Sequence, residues 1–354
     1  ELPRRGNLPS ARSDETDQQA GQIMESLKLA SGEDIPAIGC GCAFGNWTDQ
    51  SAFIGMLPEQ AWAAIPTAIA GGFRHFDTAR CYGTERHLGD ILGKEFAAGK
   101  SRSEFFVTTK LGHPNAPPHI PILRKYTVNI DTPGLDVFQK ITDDLEESLA
   151  ALGLGYVDLV LLHWPGPFFQ EKKDESEEEK QQRWAHQETL NRSGRISAWR
   201  ALERAHSLKL ARSIGVCNFT KKHLDQLKAD GAKVMPMINQ IEIHPYCAQP
   251  ELVTFLLENK IVPEAYSPFA SGAGGLLKDP VLAEIAAHHN KNVGQVILRW
   301  LWQRGCVSLP KSTNEQRARG NLAVFDFSLD EAEMARINTL DKGFRTCPDP
   351  SAIP

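Results

Sequence analysis

The sequence predicts an α/β fold of the (β/α)8 barrel type, and two observations support that prediction. From residue 58 onward, helical patterns alternate with short apolar strands, of which seven are clear. This alternation predicts a parallel sheet, because parallel neighbours are joined through crossover helices. Strands such as VDLVLLH are apolar throughout, as expected of a sheet covered on both faces. An open doubly wound sheet is the alternative, but no G-x-G-x-x-G follows the first strand.

The predicted elements follow one another along the chain in a regular order. Residues 1–26 are polar and predict a disordered arm, which leaves 27–354 as a single barrel domain. Residues 27–43 hold a Gly-centred turn between two apolar runs, which predicts a hairpin that could plug one end of the barrel. An eighth strand is expected between this hairpin and residue 73. The predicted strands are 73–77, 104–110, 156–163, 211–217, 235–241, 261–266 and 305–309, and the predicted helices are 58–70, 85–97, 136–152, 196–208, 220–230, 250–259, 279–304 and 314–323.

Two long segments interrupt the alternation, at residues 112–135 and 165–195. The first is rich in proline, and the second contains EKKDESEEEKQQR, whose mixed charges predict a solvated helix or loop. Both segments follow strands, on the face where barrels carry their catalytic residues. We therefore expect them to shape a substrate pocket.

Composition excludes several classes of protein. A net charge of -5 over 354 residues provides no basic patch, so no nucleic-acid partner is expected. No apolar run approaches the ~18 residues that a membrane span needs. The seven cysteines are odd in number and scattered, which favours a reducing, cytoplasmic environment over a disulfide framework. Neither the cysteine spacing nor the acidic segment matches a metal-ligand pattern, and no metal is predicted.

Four polar residues coincide with predicted strand ends. Asp77, Lys110 and His163 each close an apolar strand, and Tyr82 lies just beyond the first. Strand ends of a barrel converge on one rim, so these residues can meet there. Burying Asp77 or Lys110 alone would cost several kcal/mol, which predicts an ion pair. Lys110 beside Tyr82 predicts a lowered phenol pKa and a ready proton donor, and His163 could orient a carbonyl oxygen.

Each of these residues also has a structural explanation when it is taken alone. Asp77 and Lys110 could form a structural salt bridge, and His163 could be a satisfied core histidine. Tyr82 could simply anchor its loop. Because all four fall at strand ends, a catalytic site is the favoured interpretation.

Seven motifs carry a family resemblance: GFRHFDTARCYGTE, TTKLG, YVDLVLLHWP, SIGVCNF, INQIEIHPY, AYSP and LPKST. In this order they resemble the aldo-keto reductase family over about residues 27–343. The resemblance implies a barrel that binds NADPH without a Rossmann domain, and a catalytic tetrad of Asp77, Tyr82, Lys110 and His163. It implies hydride transfer to the carbonyl carbon of a small aldehyde or ketone while Tyr82 protonates the oxygen. A monomer is the expected state.

Polar residues at later strand ends suit the implied cofactor. Asn218 and Gln240 present amides that can both donate to and accept from a carboxamide, and Tyr266 resembles the residue that stacks on the nicotinamide. The segment after the last strand joins cations to hydroxyl groups, which predicts a phosphate site and a preference for NADPH over NADH. The predicted cofactor residues are Gly41, Asn218, Gln240, Tyr266, Ser267, Lys311, Ser312, Thr313, Arg317 and Asn321.

The predicted substrate pocket departs from the family pattern. Gly112 stands where the family has a tryptophan, which predicts a pocket remodelled by the 112–135 segment. An NADPH-binding barrel with a regulatory or interaction role is the alternative function, and a phosphate-binding isomerase is a weaker one. The candidate pocket residues are Trp47, Cys81, Trp164 and Phe168.

Overall fold

The computed structural model describes residues 25–44, 46–49, 52–54, 58–113 and 134–354, with backbone alone at 46–49, 52–54 and 58–59. The predicted arm at 1–26 therefore lies outside the described residues except for its last two. Most of the 112–135 segment also lies outside them. The arm, the domain boundary and the role of that segment stay predictions.

Eight parallel strands form one sheet that closes on itself. The sheet order places the strand Cys40–Gly41 at one edge and the strand Val307–Ser308 at the other. The two edges meet where Ile38 pairs in parallel with Ser308, and the Gly39 amide donates to the Ser308 carbonyl at 2.8 Å. The predicted (β/α)8 barrel is confirmed. In sheet order the strands are β3 (Cys40–Gly41), β6 (His75–Asp77), β7 (Phe106–Leu111), β8 (Val157–Leu162), β9 (Ala211–Cys217), β10 (Ile238–Glu242), β11 (Val262–Tyr266) and β12 (Val307–Ser308).

The first barrel strand lies within the segment that was predicted to be the hairpin. The hairpin itself pairs β1 (Ser26–Lys28) with β2 (Asp34–Pro36), and β3 follows only a few residues later. The expectation of an eighth strand between residue 43 and residue 73 is therefore wrong in its position. Pairing of β3 with the last strand is non-local, which a local apolar pattern cannot reveal. A second antiparallel pair, β4 (Asn46–Asp49) with β5 (Ala52–Ile54), follows β3.

The hairpin closes the amino-terminal end of the barrel, as predicted. Leu29 and Ile35 are buried in one apolar cluster with Phe106 and Ile238, the first residues of β7 and β10. Successive residues of a strand point to opposite faces, so this cluster fills the barrel interior while a larger one lies between strands and helices. The opposite, carboxyl-terminal end of the strands is the end where the candidate site lies.

The helices pack their apolar faces on the outside of the barrel, and most begin and end within two residues of their predicted bounds. The predicted helix 279–304 is two helices with a break at residues 289–292, and α10 was not predicted. In the described part of the chain, no helix is both long enough and apolar enough to cross a lipid bilayer. The helices are α1 (Pro58–Gly71), α2 (Glu85–Ala97), α3 (Val137–Leu152), α4 (Glu177–Ser207), α5 (Lys221–Ala229), α6 (Pro250–Glu258), α7 (Pro280–His288), α8 (Val293–Gln303), α9 (Glu315–Leu322) and α10 (Glu331–Asn338).

Helix α4 is much longer than the predicted helix 196–208. It has 31 residues, and the charged part of the 165–195 segment forms its first turns. Ser176 caps these turns and Glu179 accepts a hydrogen bond from the Ser176 amide at 3.0 Å, so the start is set by local sequence. The later turns are held by packing, since Trp199 is fully buried.

Gly89 and Gly93 of α2 offer a test of helix packing on this barrel. A Cβ at residue 89 would lie 2.5 Å from the carbonyl oxygen of Leu152, whereas at residue 93 nothing lies within 4 Å. We expect Gly89→Ala to destabilise the protein by about 1–3 kcal/mol, because backbone must move. Gly93→Ala should be neutral or stabilise by up to about 1 kcal/mol through helix propensity. Thermal unfolding of both variants measures the difference, and equal melting temperatures would contradict this account of the α2–α3 contact.

Candidate active site

The four residues predicted to be catalytic meet at the carboxyl-terminal end of the barrel. Asp77 is the last residue of β6, Lys110 lies one residue before the end of β7, and His163 directly follows β8. Tyr82 ends the short 3-10 turn Arg80–Tyr82 that follows β6. The three strands are neighbours in the sheet, so their ends bring Tyr82 and His163, 81 positions apart, into contact by topology alone.

An ion pair between Lys110 and Asp77 lies at the base of the site. The Lys110 ammonium donates to Asp77 Oδ1 and, at 3.0 Å, to the carbonyl of Thr78. The second oxygen, Asp77 Oδ2, accepts from the Gln240 amide at 2.8 Å. Both charged side chains are almost fully buried. Removing either partner would leave an uncompensated charge, which costs about 3–5 kcal/mol.

A chain of polar groups continues from Asp77 across the barrel interior. Gln240 donates to Glu264 Oε2 at 2.7 Å as well as to Asp77. Burial and the nearby Asp77 carboxylate raise the pKa of Glu264 to about 8. Burial lowers the pKa of the neighbouring His75 imidazole to about 3. Glu264 therefore holds its proton at neutral pH, and the chain carries little net charge beyond the ion pair.

Tyr82 is held by a turn whose backbone is fixed on both sides. Gly83 ends the turn with φ 68, a left-handed conformation that glycine adopts without strain. Arg80, the first residue of the turn, pairs with Asp144 at 3.0 Å and with Glu147, both on α3. The turn is thus anchored to a neighbouring helix. Tyr82 itself is partly exposed.

The environment of Tyr82 differs from the sequence-based prediction. The Lys110 ammonium lies 5.0 Å from the centre of the ring, as the prediction of proximity required. Burial nevertheless raises the pKa of the Tyr82 hydroxyl well above its usual value, and Asp77 raises it further. The predicted lowering is therefore wrong for this structure, because Asp77 already compensates the charge of Lys110. Tyr82 stays a protonated phenol, which is the form that a proton donor needs.

His163 is fixed through its backbone and stays neutral. Its amide donates to the Leu111 carbonyl at 2.7 Å, and its own carbonyl accepts from Asn218 at 3.0 Å. Its ring meets the Tyr82 ring edge to face, with centroids 5.7 Å apart. Burial, with His113 and Lys110 nearby, lowers the pKa of the imidazole well below its usual range. A neutral imidazole can donate one hydrogen bond to a substrate oxygen.

The structure adds His113 to the site, which the sequence analysis did not single out. Its ring lies 5.0 Å from that of His163 and 6.4 Å from that of Trp164. The Trp164 ring in turn packs against the Phe168 ring, with centroids 5.1 Å apart, so two of the predicted pocket residues form one aromatic wall. The signal in the sequence was the position of His113, which lies three residues after Lys110 and just beyond the end of β7.

Of the other two pocket candidates, one is in the site and one cannot be placed. The Cys81 thiol lies 3.6 Å from His163 Nδ1. The backbone of Trp47 belongs to β4, but its side chain lies outside the described residues. Cys81 and His163 are thus neighbours although 82 positions separate them.

The residues predicted to hold the nicotinamide gather beside the tetrad. The Tyr266 hydroxyl donates to Asn218 Oδ1 at 2.8 Å, and the Asn218 backbone amide donates to the Gln240 carbonyl at 2.9 Å. Asn218 has φ 63, a conformation that asparagine tolerates better than most residues. Ser267 follows Tyr266, also with positive φ. Gly41 pairs in register with Asp77 on the other side of the ion pair.

The residues predicted to bind phosphate surround the start of α9. Ser312 is buried and its hydroxyl donates to the Asn314 carbonyl, while Asn314 caps the helix. Lys311, Thr313 and Arg317 are exposed around this end. The positive end of a helix dipole and nearby cations both favour an anion, so the arrangement fits a phosphate. Asn321 lies buried further along the same helix.

The carboxyl-terminal tail is bonded to residues at the same end of the barrel as the site. Glu242, at the end of β10, accepts from the backbone amides of Thr346 at 2.7 Å and Cys347 at 3.1 Å. Further on, His223 Nε2 lies 3.0 Å from the Ile353 carbonyl and Arg195 donates to Pro354 at 3.0 Å. The tail is thus tied to β10, α4 and α5. The sequence analysis did not identify Glu242 as the residue that holds the tail.

Glu264 provides a pH-dependent test of the polar chain. Its pKa is about 8 in the folded protein against an ordinary value of 4.5, so the folded state holds a proton that the unfolded state releases. Titration of this carboxyl therefore leaves the free energy of unfolding unchanged below pH 4.5 and lowers it progressively as the pH rises to about 8. Glu264→Gln mimics the protonated acid. We expect the melting temperature of the variant, relative to wild type, to increase from pH 5 to pH 8; a constant difference would contradict the raised pKa.

Comparison with known proteins places this geometry in a family. The model of the Aldo/keto reductase family matches residues 42–342. The chain is 36% identical over 338 residues to a morphine 6-dehydrogenase of Pseudomonas putida. The matched residues make up 92% of this chain and 95% of the relative. It is 33% identical to the methylglyoxal reductase DkgA of Salmonella typhimurium, over 92% of this chain and 96% of that one.

A solved structure agrees with the fold. The crystal structure of a Bombyx mori aldo-keto reductase in complex with NADP superposes with a TM-score of 0.70 and 31% identity, covering 92% of this chain and 95% of that one. The predicted family and the predicted enzyme class, an oxidoreductase acting on carbonyl groups, are confirmed. The strand-end site and the closed parallel barrel therefore belong to a chain that is a member of the aldo/keto reductase family.

Proposed function

We propose that the protein is an NADPH-dependent reductase that converts an aldehyde or a ketone to an alcohol, with Tyr82 as the general acid. The observation that supports this most is the buried Lys110–Asp77 pair under the partly exposed Tyr82 ring, with His163 edge-on to the same ring. A purely structural ion pair does not require a phenol and an imidazole at the open end of the barrel. The relatives are named for different substrates, so the proposal extends to the carbonyl class.

The cofactor proposal rests on the chemistry of the donor set. Two solved relatives carry NADP or NADPH, and the site offers the amides of Asn218 and Gln240 beside Tyr266. Lys311, Arg317 and the start of α9 would hold the phosphate groups, with Ser267, Ser312 and Thr313 as hydroxyl donors. When bound, the cofactor supplies the hydride that reduces the carbonyl carbon.

Tyr82 and His163 would act on the carbonyl oxygen. The neutral His163 imidazole donates one hydrogen bond and so orients the oxygen toward Tyr82. As negative charge develops on that oxygen, the Tyr82 hydroxyl gives up its proton and the alcohol forms. The raised pKa of Tyr82 does not prevent this transfer, because an alkoxide is a far stronger base than a phenolate.

Lys110 and Asp77 would support the proton transfer from beneath. As Tyr82 becomes a phenolate, the ammonium 5.0 Å from its ring gains a favourable interaction that is absent in the phenol state. Asp77 holds the Lys110 ammonium in place within the buried interior. Preformed donors of this kind cost no reorganisation during the reaction. The expected monomeric state and cytoplasmic location stay predictions.

Tyr82→Phe tests the role of the phenol. We expect kcat for NADPH oxidation with a panel of aldehydes and ketones to fall by about 10²–10⁴-fold, the usual contribution of a general acid. NADPH affinity, measured by fluorescence titration, should change little. Tyr156→Phe is the matched control, because Tyr156 lies before β8 at the opposite end of the barrel, between Arg102 and Arg212.

Two outcomes would contradict the proposal. Full turnover by Tyr82→Phe would remove Tyr82 from the chemistry. If the wild-type protein binds NADPH but turns over none of the carbonyl compounds, the regulatory alternative is favoured instead.

Arg317→Ala tests the preference for NADPH. The Arg317 side chain is exposed at the start of α9, where its forked donors suit a phosphate. Since a hydrogen bond to a charged group contributes about 1.5–3 kcal/mol, the KM for NADPH should rise at least about tenfold. The KM for NADH should hardly change. Arg319→Ala is the control, since Arg319 pairs with Glu315 at 2.7 Å on the same helix; equal effects in both variants would refute a specific phosphate contact.

A further inference from the structure

Three potential metal ligands meet in the candidate active site. The Cys81 sulfur and one ring nitrogen each from His113 and His163 all lie within 4.8 Å of one another. They come from the ends of β6, β7 and β8, three successive strands of the sheet. No sequence spacing joins them, so a search for metal-binding motifs along the chain cannot find this group. The proposed carbonyl reduction uses His163 but gives Cys81 and His113 no chemical role.

The distance between the Cys81 sulfur and a His163 ring nitrogen suits a tetrahedral cation. Zinc lies about 2.3 Å from a thiolate sulfur and about 2.0–2.1 Å from an imidazole nitrogen, so tetrahedral ligands of these two kinds are about 3.5 Å apart. Cys81 Sγ and His163 Nδ1 are 3.6 Å apart. The His113 nitrogen lies within 4.8 Å of the other two ligand atoms, so a side-chain movement of about 1.3 Å or less brings it to the same separation.

The ligand types select the kind of cation. A thiolate with two imidazoles suits Zn²⁺ and other borderline-soft ions, whereas Mg²⁺ and Ca²⁺ prefer oxygen ligands. Three protein ligands leave a fourth position for water, as in other open zinc sites. His163 and Cys81 are buried and His113 is partly exposed, so an ion can enter from the side of His113.

We propose that Cys81, His113 and His163 bind Zn²⁺, and that the bound ion switches off carbonyl reduction. Binding releases the Cys81 thiol proton to solvent and breaks the contact between that thiol and His163. The metal then takes a nitrogen of His163, and metal and water fill the space beside Tyr82 where the carbonyl oxygen would lie. The binding stands on geometry alone, whereas the loss of activity rests on the proposed function.

A second group provides an internal control. His288, His289 and Glu333 also bring ligand atoms within 4.8 Å of one another, between the end of α7 and α10. This surface cluster contains no sulfur, and both histidines are already bonded to Glu333 at 2.9 Å. Any metal bound there would have no thiolate ligand and would lie far from the reacting groups.

Co²⁺ provides a spectroscopic test that needs neither substrate nor cofactor. Titration of the reduced wild-type protein should produce the near-ultraviolet thiolate-to-cobalt band with one equivalent bound, and Zn²⁺ should remove it. The double variant His288→Gln and His289→Gln should keep the band, and Cys81→Ser should lose it. Absence of the band in the wild-type protein, or its persistence in Cys81→Ser, would overturn the proposal.

The affinity for Zn²⁺ distinguishes ligands from bystanders. Loss of an outer hydrogen-bond partner already weakens metal binding by about 10–100-fold, so loss of a ligand should weaken it by at least about 100-fold. We expect this for His113→Gln, measured by competition with a chromogenic chelator, while the His288→Gln, His289→Gln variant retains the high-affinity site. If Cys81→Ser folds poorly, His113→Gln carries the test, because His113 is partly exposed. Unchanged affinity in His113→Gln would refute its role.

Activity measurements separate this proposal from the proposed function. Stoichiometric Zn²⁺ should abolish NADPH oxidation by the wild-type protein and by the His288→Gln, His289→Gln variant, and a chelator should restore it. Unchanged or increased turnover with Zn²⁺ bound would refute the switch. A cobalt band in a protein that reduces no carbonyl would support the metal site and contradict only the reductase assignment.

Discussion

The buried ion pair between Lys110 and Asp77 is the interaction on which the rest of the site depends. Two charges removed from water are stable only if they meet each other and if their remaining hydrogen-bonding capacity is satisfied. Here Thr78 and Gln240 complete that shell, and Gln240 links it to Glu264 across the barrel. The requirement fixes the relative positions of β6, β7 and β10. Whatever binds above the pair therefore meets a rigid, polar floor.

Tyr82, His163 and their neighbours occupy the space above that floor, and their protonation states follow from burial. The phenol stays protonated and the imidazole stays neutral, so each of them can donate a hydrogen bond. Such a site stabilises negative charge that develops on an oxygen atom. The same side chains, joined by Cys81 and His113, also present the soft ligands that a zinc ion prefers. One rim can thus serve carbonyl chemistry and metal binding, but not both at once.

Local sequence determined most of the architecture. Apolar strands alternating with helices predicted the barrel, and the positions of Asp77, Lys110 and His163 at strand ends predicted where its chemistry lies. The cofactor residues followed from a family resemblance. Helix bounds were predicted well where a cap and a glycine mark them, as in α3, which Asp136 caps and Gly153 ends. The charged segment was predicted to be a solvated helix or loop, and it forms the first turns of α4 through capping and local charge rather than through an apolar face. Its continuity with the predicted helix 196–208 was not predicted.

Tertiary structure decided what depends on non-local contacts. The pairing of Ile38 with Ser308 closes the barrel across almost the whole chain, and no local pattern marks it. The pKa of Tyr82 rises because burial and Asp77 act together, which composition cannot weigh. His113 joins Cys81 and His163 because three strand ends converge. The sequence by itself determined the fold class and the residues proposed to carry the chemistry. The tertiary structure decided the distances between them, and distance sets both electrostatics and ligand geometry.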